Sequence, residues 1–128
     1  MRVFKNKAFS RFARKARLDD LVLCNSIREA ELGLIAANLG GGVIKQRIAR
    51  SGQGKSGGLR TIVVFRLRER AIFVYGFAKN ERDNIEEDEL LALKKLASEL
   101  LAYDAPAMER AIASGALLEV NCDAQAIS

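Results

Sequence analysis

The stretch Leu59-Arg-Thr-Ile-Val-Val-Phe-Arg66, followed by Leu67-Arg-Glu-Arg70 and then Ala71-Ile-Phe-Val-Tyr-Gly-Phe77, decides the fold class. Both outer runs are β-branched and aromatic, which predicts strands. The short charged connector makes them an antiparallel hairpin. Working toward the N-terminus, Val43 to Ala49 reads V-I-K-Q-R-I-A, a third strand with Lys45 and Arg47 on one face. Residues 2–5 alternate and predict a short opening strand. Between these lie two helical patterns. Lys7 to Arg17 places Phe9, Phe12, Ala13 and Ala16 on one face and basic residues on the other. Asp19 or Asp20 caps a second helix that runs to about Leu34, with Leu23, Ile27, Ala30 and Leu34 as its stripe, and Leu39-Gly-Gly-Gly42 ends that region.

Past the hairpin, Lys79 to Asn84 is a polar exit loop, and Glu86-Glu-Asp-Glu89 loads the first turn of a helix with acid, as the helix dipole favours. Leu90, Leu93, Ala97, Leu100 and Leu101 form the apolar stripe of that helix. A short helix from about Pro106 to Ser114 stops at Gly115, and Ala116 to Val120 suits an edge strand. The expected fold is α+β, in the order β-α-α-β-β-β-α, with an antiparallel-dominated sheet, two N-terminal helices and a C-terminal helix. At 128 residues the chain is expected to be one domain, 1–128, with a core over 2–101 and a C-terminal extension over 102–128.

Composition narrows the chemistry. The chain has no histidine and two cysteines. A Ser-His-Asp or Cys-His nucleophile within the chain is therefore excluded. Cys24 and Cys122 have no C-x-x-C spacing, so no metal site is expected. The two lie 98 positions apart, one on a helical apolar pattern and one in the tail. Both are expected as free thiols of a reducing cytosol. The N-terminus lacks an apolar secretory core and no run approaches a membrane span, so the expected location is cytoplasmic, with no membrane partner.

The net charge of +5 conceals a division. Residues 1–17 carry +7 and residues 43–70 carry +7, whereas residues 86–128 carry −6. Two long, nearly acid-free segments point to an anionic partner, the alternative being an ordinary solvated surface. Gly52-Gln-Gly-Lys-Ser-Gly57 matches a dinucleotide fingerprint, but a strand pattern follows it where a helix N-terminus is required. It reads as a cationic loop over a basic strand surface. Lys45, Arg47 and Arg60 lie on neighbouring strands, Lys55 between them, and Lys79 and Arg82 past the last strand. Cations converging on one face are the footprint of phosphate binding. Phe65, Phe73 and Phe77 read as core, and the parity of Tyr75 groups it with Phe73 and Phe77. Glu81 and Asp83 stand beside the basic cluster, either as a general base or, on the better reading, paired with Lys79 and Arg82.

The combination Gly41-Gly-Val-Ile-Lys-Gln-Arg47, Gly52-Gln-Gly-Lys-Ser-Gly-Gly58 and Phe77-Ala-Lys-Asn-Glu-Arg-Asp83, with Arg60 after the strand-opening glycine, resembles the RelE/ParE superfamily of toxins from type II toxin–antitoxin modules, in its HigB-like branch. The resemblance covers about residues 2–101. It implies a ribosome-dependent endoribonuclease that cleaves translated mRNA through attack of the substrate's own 2′-hydroxyl on the adjacent phosphate. No cofactor is implied. The partners implied are the ribosome, mRNA and a cognate antitoxin, expected to be a small helix-turn-helix protein. By position, Lys45, Arg47, Arg60 and Lys79 would be catalytic, with Arg50, Lys55, Asn80 and Arg82 contacting RNA. The chain departs from RelE itself in carrying Asn80 where an arginine stands and Glu86 where a tyrosine stands. Lys45, crowded by other cations, is the candidate to stand in for the missing acid and base. Two other classes fit the same resemblance: a ParE-like toxin that inhibits DNA gyrase without catalysis, and a non-toxic nucleic-acid-binding or regulatory module.

Overall fold

The computed structural model describes residues 1–49 and 58–123. The elements follow as β1 (Arg2–Asn6), α1 (Lys7–Ala16), α2 (Asp20–Glu31), β2 (Ala37–Gly40), β3 (Val43–Ile48), β4 (Leu59–Arg66), β5 (Arg70–Ala78), α3 (Glu87–Ala102), α4 (Ala105–Ala113) and β6 (Leu117–Glu119). The strands form one sheet in the order β2-β3-β4-β5-β1-β6. Only β1 and β5 run parallel among these neighbours; the other pairs are antiparallel. The α+β class and the antiparallel-dominated sheet expected from sequence are therefore present.

Local chemistry sets the helix ends. The Asn6 carboxamide oxygen accepts from Phe9 N at 2.8 Å and starts α1, and Asp19 accepts from Val22 N at 3.0 Å and starts α2. Asp104 does the same for Ala107, with Pro106 in the first turn of α4. The chain departs from expectation after α2. That helix stops at Glu31, because Gly33 takes a φ of +84° and turns the chain out of it. Leu34, expected in the helical stripe, is 64% exposed instead. The residues that follow form β2, a short edge strand where a loop was expected.

Two apolar layers flank the sheet. On one face, α1 and α2 pack Phe9, Ala13, Leu23, Ile27 and Ala30 against Val3, Ile44, Ile48, Leu59, Val63 and Phe73. On the other, Ala97, Leu100 and Met108 of α3 and α4 pack against Phe4, Val43, Ile62, Val64, Ile72 and Val74. Burying each large side chain stabilises the fold by about 1.5–3 kcal/mol before entropy is counted. A bulge on β5 shifts the register from Ile62↔Tyr75 to Val63↔Phe73. Phe73 consequently stacks on Phe9 beneath α1, with ring centroids 4.9 Å apart. Tyr75 packs on the α3 side. The parity that grouped Tyr75 with Phe73 is thereby overturned. Phe65 is only half-buried, at the margin of the α1–α2 layer. Gly76 is required by close approach: a Cβ there would lie 2.3 Å from the Phe12 ring, so α1 can sit on β5 only over a glycine.

The cysteines also correct the sequence reading. Cys24 of α2 and Cys122 form a disulfide, with Cα atoms 5.6 Å apart, and are not free thiols. β6 joins them by pairing with β1, the strand that leads into α1 and α2. Val120 N donates to Val3 O and Asn121 N to the Asp20 carboxylate, both at 2.8 Å, which lays the tail along the start of α2. No helix among the described residues is long and apolar enough to cross a membrane.

Candidate phosphate-binding face

Strand alternation divides β3 cleanly. Gln46 is buried toward α2, while Val43, Lys45 and Arg47 take the opposite parity. Cross-strand pairing carries that parity into β4 and β5. Arg47 lies opposite Arg60, and Arg60 lies opposite Phe77. Lys45 lies opposite Ile62, and Ile62 opposite Tyr75. Lys45, Arg47, Arg60, Tyr75 and Phe77 thus share the face that α3 covers at its other end. The half-buried Lys45 and the exposed Arg47 flank Gln46, whose carboxamide anchors the strand. Its nitrogen donates to Ser26 O at 3.2 Å and Leu34 O at 3.0 Å, and its oxygen accepts from Ala36 N at 3.0 Å. Sequence pattern alone marked Gln46 only as the residue between two cations.

Arg60 is 4% exposed. Burial, and then the adjacent Arg47 charge, lower its pKa from the ordinary arginine value. Its Nη1 donates to Leu59 O at 3.3 Å. A guanidinium whose charged form is disfavoured by burial and a like charge gains more from an arriving anion than one already in water. Lys79 follows β5 by one residue, has the parity of Phe77, and extends the ladder through its N–H to Gly58 O at 3.2 Å. Lys79 and Asn80 are exposed in the turn that follows. Arg50 and Lys55, and with them the stretch 52–57, lie outside the described residues; the segment immediately after it is β4, not a helix.

The turn after β5 folds Arg82 back over the sheet: Glu81 N and Arg82 N both donate to Ala78 O. The Arg82 guanidinium carbon sits 5.5 Å from the Phe77 ring centroid and 5.9 Å from that of Tyr75. Its Nη1 donates to the Tyr75 hydroxyl at 3.0 Å and its Nε to Asn84 O at 2.9 Å. Both Nη atoms bond the Glu89 carboxylate. Hydrogen bonding to Glu89 raises the Arg82 pKa, and the same bond, aided by the Glu86 N–H, holds the Glu89 carboxyl below its usual range.

These contacts correct the pairing expected for the exit loop. Arg82 pairs with Glu89, and among the described residues no ion pair involves Glu81 or Asp83. Glu81 lines a small cavity of about 130 Å³ with Phe12, Lys15 and Leu59 on the α1 side of the sheet. Glu89 escaped notice because its acidic run suits a helix N-terminus on its own. Its carboxylate serves that end too, accepting from Glu86 N at 2.7 Å.

The comparison with known families agrees with this arrangement. The family model described as RelE toxin of the RelE/RelB toxin–antitoxin system matches residues 1–120. That span includes every described strand and helix from β1 to β6. No curated protein matches the chain. With a match over nearly its whole length and a sheet that gathers the cations of β3 and β4, this chain belongs to the RelE toxin family of toxin–antitoxin systems.

Proposed function

We propose that the protein is a ribosome-dependent endoribonuclease that cleaves translated mRNA without a metal ion or cofactor. The observation that carries this reading is the direct cross-strand pairing of Arg47 with buried Arg60, with Lys45 on the same face. In the reaction, the RNA 2′-oxygen attacks the adjacent phosphorus and the P–O5′ bond breaks. The 2′-hydroxyl proton is lost, the 5′-oxygen gains one, and a 2′,3′-cyclic phosphate remains. The substrate supplies the nucleophile, so a histidine-free chain needs to orient it and stabilise the charge that builds on the phosphorane. Arg47 and Arg60 offer planar donors suited to two phosphate oxygens. Lys45 and Lys79 flank them, Asn80 lies at the rim, and Arg50 and Lys55 are assigned to RNA contact from sequence alone. The partner would be an antitoxin that covers or distorts this face.

Inducible expression followed by mapping of mRNA ends tests the reading. Growth arrest with new 5′-hydroxyl ends in translated messages, absent when initiation is blocked, is the expected result. Arg47→Ala and Arg60→Ala proteins that still cut at the wild-type rate would show the wrong site. Accumulated cleaved DNA with intact mRNA would assign the ParE-like activity instead, and unimpaired growth would assign a non-toxic binding module.

A further inference from the structure

The guanidinium of Arg82 is held by several partners at once. Its charge is matched by Glu89, and four of its five N–H donors are engaged by Glu89, Tyr75 and Asn84. One side lies against the Tyr75 and Phe77 rings, and the side chain retains 28% exposure beside the cationic face. A phosphate clamp needs free donors and uncompensated charge. A stacking platform needs a flat, rigid and partly desolvated plane. Glu89 is itself held, because its carboxylate also accepts from the Glu86 N–H at the start of α3.

We infer that Arg82, clamped by Glu89 over Tyr75 and Phe77, is a stacking platform for one nucleobase of the bound RNA and does not contact a phosphate. This rests on the mRNA-cleavage reading above. The platform sits at the end of β5, beside the strand carrying Arg60, so a base splayed from the scissile step would reach it while its phosphate met Arg47 and Arg60. Glu89 would act as a positioning residue, fixing the plane without touching RNA.

The test uses ribosomes programmed with A-site codons in which each base in turn is replaced by an abasic nucleotide. Wild-type kcat/KM is expected to fall roughly 5- to 150-fold at one codon position, the range that loss of one stacked base gives. Arg82→Ala should lose a similar factor on the intact codon and nothing further on the abasic one. Arg82→Lys should behave like Arg82→Ala, because lysine keeps the charge and loses the plane. The salt dependence of binding should be the same in all three proteins, whereas loss of a phosphate contact would reduce its slope by about one. Rescue by lysine, a reduced salt slope, or wild-type indifference to abasic replacement at every position would each overturn the platform. The abasic series needs only the wild-type protein, so it decides even if the variants fold poorly. Wild-type cleavage without abasic sensitivity would remove the platform alone; no cleavage of any programmed message would remove the underlying reading with it.

Discussion

The two faces of the sheet come from the same strands and differ in how far their helices extend. Under α1 and α2 the apolar layer runs from Val3 to Leu59 and takes in Ile44 and Ile48 at both ends of β3. On the opposite face, α3 and α4 cover Val43, Val64 and Ile72, and the remaining end carries the exposed Arg47, the half-buried Lys45 and the buried Arg60. Along β3, Ile44, Gln46 and Ile48 face the α1–α2 layer, whereas the opposite parity runs from Val43, packed under α3, to Lys45 and Arg47 at the uncovered end. The difference teaches that packing and the proposed binding role occupy different positions of one six-residue strand. Ile44, Gln46 and Ile48 place the strand against α2, as Val43 does under α3, which leaves Lys45 and Arg47 outside both apolar layers.

The largest expected effect tests the proposed binding face. Arg60→Met keeps volume and removes charge. Cleavage in a translating extract should fall on the order of 10²- to 10³-fold, the usual loss when one charge-stabilising donor is removed. The melting temperature should stay the same or rise. The sign follows from linkage: Arg60 has a lowered pKa when folded, so the unfolded chain binds its proton more tightly. That penalty is present wherever the folded protein keeps the proton and is relieved as pH rises through the folded value. A sharp loss of stability in Arg60→Met would erase the proposed division between faces.

The next effect lies on the helix-covered side. Cys122→Ser should lower the unfolding free energy by about 2–4 kcal/mol in non-reducing denaturant titrations, since the staple closes a long loop. The difference from wild type should vanish in excess dithiothreitol, and cleavage by the folded protein should be unchanged. Alkylation of two thiols in the non-reduced, unfolded wild type would contradict the bond itself. Gly76→Ala comes third. The added methyl meets the Phe12 ring, and overpacking of this kind costs about 1–3 kcal/mol. Its cleavage rate below the melting transition should match wild type, because the strain falls on the α1 face.

The smallest effect is a pH dependence. Glu89 has a folded pKa below its ordinary 4.5, caused first by Arg82. The stability it contributes is complete above 4.5 and is lost as pH falls through the depressed value. Glu119, held down by Arg2, titrates in the same direction, so the informative quantity is the difference between the wild-type and Glu89→Gln melting curves. That difference should shrink in acid. A constant offset would mean that the Arg82–Glu89 clamp adds nothing to this end of the face.

Much of this organisation was readable in the residues. The hairpin of β4 and β5, the alternation of Lys45 and Arg47, and the amphipathic spacing of α1 and α3 depend on near neighbours. Strand parity put the two β3 cations on one side, and matching β4 to β3 put Arg60 with them. β2 escaped because Ala37–Gly40 has neither length nor β-branched residues, and it forms only because β3 offers an edge. Tyr75 changed faces because a bulge, set by pairing with β4, is invisible in β5 alone. Arg82 chose Glu89 over its sequence neighbours because the turn after Ala78 aims it back across the sheet.

By itself, then, the sequence determined the order of the elements other than β2, the exclusion of histidine chemistry and the separation of charge into basic and acidic segments. These follow from composition and from periods of two and 3.6 residues, which act locally. Only the tertiary structure decided which cation is buried, which acid neutralises which base, and that Cys24 meets Cys122. Each of those depends on residues brought together by sheet pairing, and the energy of a charge or a thiol is set by what surrounds it in space.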